Sequence, residues 1–420
     1  MKIGVMSDLH LGHRQYGLYD REQDFYTQLQ NCVIELNKHN CDIIIIAGDI
    51  FDKPNPSPEA IHQYFDKISN LDADVIISIK GNHTMLLRDN HYSVDELIAD
   101  EMDFGYFLLQ DERWSGKDFA LASPYDKDFS KWKNSKINVD GITYRGPSQL
   151  NEFIDLQKKM ASDIDDIDAF NILVVHQSFK EFCGFTGEEL SINDIELSPY
   201  NVIICGHIHS RVDVQLNNDT LFLQPGSIER LNTEEARDEQ RKGKGVYVID
   251  TETNKCKFYQ VTCPRKFFLG EFNVESTEVE EYIEILQEQI DKCETKPIVA
   301  LKFYDADTMW DSVKSFNNVL INNSKVIVED KDINTDVLTE NEIPSVVDAV
   351  QSVAKNNFST QNAQLCIELF EVLNDKDKDP MELLKKFEKQ QYSNDDKEEE
   401  FVVDTEVQEI YDYFEKLEVK

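Results

Sequence analysis

Long apolar runs, paired cysteines and basic charge are all scarce in this 420-residue chain. No segment approaches the roughly 20 consecutive apolar residues that carry a helix across a bilayer. Met1 to Met6 reads as a short strand rather than as a charged leader followed by an apolar stretch. A soluble, cytoplasmic protein without membrane attachment is expected. The eight cysteines (32, 41, 183, 205, 256, 263, 293 and 366) include no Cys-x-x-Cys pair, which excludes a zinc ribbon or a dithiol redox motif and leaves reduced, mostly buried thiols. Lysine and arginine total 43 against 81 aspartates and glutamates, a formal net charge of −38. A protein that grips nucleic acid alone usually presents a basic surface that displaces counterions from phosphate, so this balance counts against unaided DNA binding. Three things would restore it: bound divalent cations, local basic groups (Arg230, Arg237, Arg241, Lys242, Lys244), or a partner subunit that makes most of the DNA contact. The partner is the favoured of the three.

From Lys2 to about Cys205, short apolar runs alternate with segments of helical period, the pattern of a layered α/β domain. Asp20 to His39 places Phe25, Leu29, Val33 and Leu36 on one helix face. Pro58 to Leu71 does the same with Ile61, Phe65 and Ile68, and Ser57 precedes it as a natural N-cap. The character changes near Cys263-Pro264. Strands are expected at Lys266 to Val274, Ile298 to Tyr304 and Lys325 to Val328, and helices at Thr277 to Cys293 and Trp310 to Ile321, which together make a small α/β domain. Beyond about Asn334, Gln361 to Leu373 and Met381 to Gln390 read as helices, Ser393 to Glu400 as a charged linker, and Val407 to Leu417 as an amphipathic helix. A lone helix that short is marginal in water, so its apolar stripe needs its own domain or a partner protein to dock on.

The chemistry-bearing residues gather at the ends of five apolar runs. Ile3 to Met6 leads into Ser7-Asp8-Leu9-His10, Ile43 to Ala47 into Gly48-Asp49-Ile50-Phe51-Asp52, and Val75 to Ile79 into Gly81-Asn82-His83. Ile172 to Val175 ends in His176, and Val202 to Cys205 in Gly206-His207-Ile208-His209. In an open α/β sheet, ligands bind outside the carboxyl ends of the strands, so these five loops can converge. A dinuclear centre needs that convergence, because two cations about 4 Å apart repel each other unless an anionic ligand bridges them. Oxygen and imidazole donors suit manganese, iron or zinc. Asp-x-His and His-x-His put two side chains on the same side of an extended segment. Each motif alone is weak, whereas five of the nine histidines in this ordered series of strand ends make a strong joint signal.

The constellation resembles the calcineurin-like metallophosphoesterases, and more closely the nuclease subunit of the SbcCD-type double-strand-break repair complex in its archaeal form. His10-Leu11-Gly12 with Tyr16 and Arg21-Glu22, the sequence from Gly48 to Phe51 followed by Pro56-Ser57-Pro58, His176-Gln177, the sequence from Pro225 to Arg230, and Pro264-Arg265 carry the narrower likeness, over about residues 1 to 330. The resemblance implies a four-layer αββα sandwich over 1–265, a small α/β capping domain over 266–333, and a helical region over 334–420 that binds an SMC-like ATPase. It implies two manganese ions, ahead of magnesium, iron or zinc. Asp8, His10 and His209 hold one, Asn82, His176 and His207 hold the other, and Asp49 bridges. His83 is the implied catalytic residue, protonating the leaving oxygen, a task that suits a side chain titrating near neutrality. DNA ends are the implied substrate, a homodimer the implied assembly and the nucleoid the implied workplace. Two departures from the family pattern stand out: Thr84 follows Gly-Asn-His where an acidic residue is usual, and Asp52 stands where several archaeal members have histidine.

Arg14 and Arg88 lie within a few residues of site loops and are candidates for phosphate contact, with a surface ion pair an equal alternative. His13, His39, His62 and His91 fall outside the strand-end pattern and read as packed or surface histidines. Phe267, Phe268 and Phe272 read as core of the second domain. Two rivals to the nuclease reading stay open: a phosphoesterase of the same fold for a cyclic nucleotide, small phosphodiester or phosphoprotein, favoured by the acidity, and an inactive scaffold subunit.

Overall fold

Runs of isoleucine and valine become strands because their branched side chains fit a pleated surface buried on both faces. The first sheet is built from β1 (Lys2–Met6), β2 (Ile43–Ile46), β3 (Val75–Ile79), β4 (Tyr106–Leu109), β11 (Gly245–Asp250) and β12 (Lys255–Gln260), in the order β12-β11-β1-β2-β3-β4. Strands β1 to β4 are parallel neighbours, and β11 closes antiparallel onto β1. The second sheet contains β5 (Glu112–Ser115), β6 (Ile137–Ile142), β7 (Phe170–His176), β8 (Val202–Gly206), β9 (Val212–Gln215) and β10 (Leu221–Gln224), in the order β5-β6-β7-β8-β10-β9. In it β6, β7 and β8 are parallel. The computed structural model describes residues 1–85, 92–102, 105–117, 135–166, 168–183, 189–216, 219–273, 278–304 and 316–327, with residues 119 and 132.

Side chains alternate between the two faces of each strand, and that alternation builds the layers. Ile3, Val5, Ile43, Ile45, Val75 and Ile77 of the first sheet meet Ile172, Val174, Val202 and Ile204 of the second in one buried core. The opposite face of the first sheet, with Met6, Ile44, Ile46 and Ile76, packs on α1 (Tyr19–Asn37) through Phe25, Leu29, Val33 and Leu36 and on α2 (Pro58–Ile68) through Ala60, Tyr64 and Ile68. The Ser57 hydroxyl accepts from the Ala60 amide at 3.1 Å, the N-cap expected there. A shorter helix, α3 (Val94–Glu101), joins this layer through Val94 and Ile98. The outer face of the second sheet, with Leu173, Val175, Ile203 and Cys205, packs on α4 (Leu150–Ser162) through Phe153, Met160 and Ala161. The result is the αββα order the sequence implied.

A third, small sheet is formed by β13 (Phe267–Asn273), β14 (Ile298–Tyr304), β15 (Ile321–Asn322) and β16 (Lys325–Ile327), with all pairings onto β14 parallel. Two helices flank this part of the chain, α5 (Thr233–Lys242) before it and α6 (Glu278–Asp291) between β13 and β14. The helix expected over 310–321 requires correction. Among the described residues of that range, 316–320 are not helical and Ile321 pairs with Ile298 as a strand. Asn318 takes a left-handed φ of 57°, which a helix does not accommodate. Its amide group bonds the Asp291 carboxylate at 2.8 Å, and the Asn317 N–H donates to Gln287 at 3.0 Å, so the segment is tied to α6 instead of coiling.

Phe267 is buried as expected, under the guanidinium groups of Arg21 and Arg230, and Phe268 packs on the core of the small sheet. The side chain of Phe272, the helices expected beyond 334 and the charged linker lie outside the described residues. The described cysteines form no disulfide. No helix among the described residues is long and apolar enough to cross a membrane.

Candidate metal centre

All five ligand-bearing loops leave the carboxyl ends of β1, β2, β3, β7 and β8, and contacts across the two sheets bring them to one place. Backbone strain marks the spot. Asp8, His10, Asp49 and His207 adopt φ values of 51°, 45°, 48° and 89°, a region non-glycine residues rarely occupy, at a cost of about 1 to 3 kcal/mol each. Such conformations persist where the surroundings over-determine them and cluster at functional sites. The glycines before Asp49 and Asn82 have a steric reason too. Gly48 has a φ of 93°, and a Cβ on it would lie 2.3 Å from His176 Nδ1; a Cβ on Gly81 would lie 2.1 Å from Asp49 Oδ1. The Gly-Asp and Gly-Asn motifs thus let the loops approach closely.

Ligand-type atoms lie within 4.8 Å of one another in three groups: Asp8, His10 and His209; Asp49, His176 and His207; and His10, Asp49 and His83. Asn82 joins the second group, its Oδ1 lying 3.0 Å from His176 Nε2 and 2.7 Å from His207 Nδ1. Asp49 is shared between two groups, with Oδ2 at 3.0 Å from His176 Nε2 and Oδ1 accepting the His83 amide at 2.9 Å. Across the sheets, the His207 amide donates to Asp8 Oδ1 at 3.0 Å.

Following the protons shows what this arrangement lacks. The Ala47 carbonyl can only accept, so His176 Nδ1 donates to it at 2.8 Å. That leaves Nε2 of the neutral ring as a bare lone pair, yet it faces Asp49 and Asn82 oxygens. His209 Nδ1 likewise donates to Glu235 Oε1 at 3.0 Å, and His209 Nε2 confronts His10 Nε2 at 3.0 Å. Lone pairs converging without donors are stabilised by a cation or by added protons. The donor set therefore fits metal ions. The same demand sets the pKa values. Burial resists charge on His176, but the Asp49 carboxylate, by charge and hydrogen bond, and Asp8 outweigh it and raise the ring to about 9. His207 is lowered to about 3 by burial and by His176, and His10 is lowered well below its ordinary value by burial and by His209. Asp49 is held well below the carboxylate range: burial works against its charge, and His176 and His10 overcome that. Burial raises Asp8.

His83 stands beside this set, its ring edge-on to His10 with centroids 4.7 Å apart. Its Nδ1 donates to the Asp52 carbonyl at 2.7 Å, which leaves Nε2 available. Support for His83 therefore comes from Asp52 and Asp49. Thr84, where the family pattern has an acid, is buried, and its hydroxyl donates to the Gly81 carbonyl at 3.5 Å. Asp52 also accepts from His13 at 2.8 Å, which makes His13 a packed histidine one link out from the site.

Sequence reasoning and structure part over the cations. Arg14 pairs with Glu22, and Arg88 and the side chain of Arg241 lie outside the described residues. Arg230 and Lys244 are buried and serve the interior: Arg230 bonds Glu229 and the Arg265 carbonyl, and Lys244 bonds the His209 carbonyl and Ser227. Neither offers the surface charge expected of it. Arg237 pairs with Glu234 and Glu271, and Lys242 donates to Ser210. Two neighbours went unread in the sequence. Tyr144 follows β6 and lies against His207, centroids 5.4 Å apart. Glu235 holds His209. Its only local signal is the spacing Asn232-x-x-Glu235, which marks a helix start, the Glu235 amide donating to Asn232 at 2.9 Å.

Comparison with known proteins adds what geometry does not. Residues 1–254 match the model of the calcineurin-like phosphoesterase superfamily domain. The chain belongs to that superfamily. This phosphoesterase is 26% identical over 342 residues to the DNA double-strand break repair protein Mre11 of Methanocaldococcus jannaschii, a match covering 78% of this chain and 82% of that protein. To the protein of the same name from Sulfolobus acidocaldarius it is 23% identical over 407 residues, covering 92% and 98%. The resemblance read from the motifs is thereby borne out, since these relatives form one family with the SbcD-type nucleases.

Proposed function

We propose that this phosphoesterase is a two-metal nuclease that hydrolyses DNA phosphodiesters at double-strand ends. The observation that carries the reading is the donor-poor convergence of Asp8, His10, Asp49, Asn82, His176, His207 and His209. Asp8, His10 and His209 would hold one ion and Asn82, His176 and His207 the other, with Asp49, grouped with His10 on one side and with His176 and His207 on the other, supplying a carboxylate between them. Manganese is the metal the family resemblance implies, and the set of carboxylate and amide oxygens with imidazoles and no thiolate suits manganese, iron or zinc. When bound, such a pair supplies Lewis acidity toward a phosphoryl oxygen and lowers the pKa of water. The chain's own residues do the rest. Buried Asp8 and Asp49 neutralise the ions, and the strained loops keep the ligands in place before substrate arrives. His83, braced through Nδ1 on the Asp52 carbonyl, delivers a proton from Nε2 to the leaving oxygen. The resemblance to repair proteins over most of the chain supports DNA as the substrate.

The family resemblance further supports a homodimer, a capping role for 266–333, and docking of the 334–420 region on an SMC-like ATPase. The net charge of −38 and the internal use of Arg230 and Lys244 give that partner a reason, because it would supply the cations that phosphate requires. The same two observations favour a second reading, a phosphoesterase for small diesters. Metal analysis with a choice of substrates separates the readings. The proposal expects two Mn2+ per chain and digestion of linear duplex DNA, alone or with its ATPase partner. A chain that loads manganese and cleaves bis(p-nitrophenyl) phosphate, yet leaves DNA intact with the partner present, supports the second reading. A chain that retains no metal is a scaffold.

A further inference from the structure

The ligand groups differ in how their histidines are held. In the group of Asp8, His10 and His209, the first two side chains are fully buried, whereas the His209 side chain is 23% exposed. A half-buried imidazole on a loop keeps rotational freedom that a fully buried one lacks, so its metal-facing nitrogen is aimed only if something else grips the ring. Glu235, on the first turn of α5, is placed to do so. Its Oε1 accepts from His209 Nδ1 at 3.0 Å and from the Asn232 side chain at 3.0 Å. Its Oε2 accepts from the Leu231 amide at 3.1 Å and the Ser227 hydroxyl at 3.2 Å, with Lys244 Nζ at 3.6 Å. Both oxygens of this largely buried carboxylate are therefore pinned from several directions. Lys244 also donates to the His209 carbonyl at 3.0 Å, so ring and backbone of the ligand are clamped by one linked set.

We infer that Glu235 is a positioning residue for the ion held by Asp8, His10 and His209. It fixes the His209 tautomer with the proton on Nδ1, turns Nε2 toward His10 and Asp8, and makes the ring a stronger donor by placing negative charge behind it. Carboxylates behind metal-bound histidines act in this way, and losing one typically weakens metal affinity about 10- to 100-fold. The second group has no such dependence on Glu235, because His176 is aimed by the Ala47 carbonyl and buried completely. The effect of Glu235 therefore falls on one ion of the pair.

This inference rests on the two-metal reading, and calorimetric titration of the full chain with Mn2+ distinguishes failure of one from failure of the other. The intact chain should show two binding events. If it binds no manganese, the two-metal reading fails. In Glu235→Ala, one event should weaken about 10- to 100-fold while the other stays as in the intact chain. Glu235→Gln preserves shape and a carbonyl acceptor without the charge, so it should weaken the same event by less; it provides the test if the alanine variant does not fold. Arg237→Ala, on the same helix but directed at Glu234 and Glu271, controls for general loosening of α5 and should leave both events unchanged. Two events of unaltered affinity in a folded Glu235 variant would overturn the assignment, as would equal weakening of both events or an equal effect of Arg237→Ala.

Discussion

At His176 a single proton reports on the whole centre. In the metal-free protein the ring is raised from the ordinary 6.5 to about 9, because Asp49 and Asp8 outweigh its burial. A histidine whose folded pKa exceeds its unfolded one contributes stability that is complete below the unfolded value and disappears as pH rises through the folded one. Melting in the presence of a chelator should therefore show a loss of a few kcal/mol between pH 6.5 and 9. A bound cation supplies the positive charge in place of the proton, so manganese should abolish that loss and release protons as it binds. Thermal melts at both pH values, with EDTA and with Mn2+, check this. An equal decline in His176→Gln would assign the effect elsewhere. Glu235 and Tyr144 illustrate what a single residue conceals: neither sits in a metal-ligand motif, and their roles depend on which ring the folded chain brings against them.

Among the elements, the strand ends were the most legible. The proposed ligands end apolar runs that form β1, β2, β3, β7 and β8, and parallel register then brings their loops to one edge. Ser57 as the cap of α2 was equally plain, because capping depends on local chemistry. The loop glycines make the dependence of the site on backbone measurable. In Gly48→Ala the new Cβ meets His176 Nδ1 at 2.3 Å, in a left-handed conformation alanine resists. We expect about 1 to 3 kcal/mol of destabilisation together with weaker binding of the ion that His176 helps to hold. Denaturation and manganese titration of the same preparation test both parts; normal binding in a destabilised protein would show that the loop strain is unrelated to the site. Where periodicity misled, over 316–321, the deciding interactions were tertiary. Bonds from Asn317 and Asn318 to α6 and the pairing of Ile321 with β14 leave no local trace.

At the scale of the molecule, buried charge does much of the joining. Arg265, at the entry to the small sheet, bonds both oxygens of Asp24 on α1; Arg21 shares Asp24 and reaches Glu229; and Arg230 donates to the Arg265 carbonyl. The sequence displays these arginines without showing that they face inward, and so Arg230 looks from sequence alone like surface charge. Removing one member of such a network leaves the others buried and uncompensated, at a cost of about 3 to 5 kcal/mol. Asp24→Ala should thus lower Tm by several degrees while the folded protein still binds manganese with the same stoichiometry; an unchanged Tm would mean that packing alone holds the small sheet. With these cations turned inward and −38 charges overall, the proposed nuclease activity would depend on bound metal ions and a partner to draw DNA in.

The central claim, a nuclease acting through this centre, is tested most directly by degradation of end-labelled linear duplex DNA, with manganese or magnesium, by the intact chain and by His83→Ala, each with and without the proposed ATPase partner. The account predicts manganese-dependent cutting by the intact chain, and its reduction by about two to four orders of magnitude in His83→Ala, the usual contribution of a general acid, with both ions still bound. Cutting that survives the substitution, or duplex DNA left whole under every condition by a chain that has taken up its manganese, would contradict it.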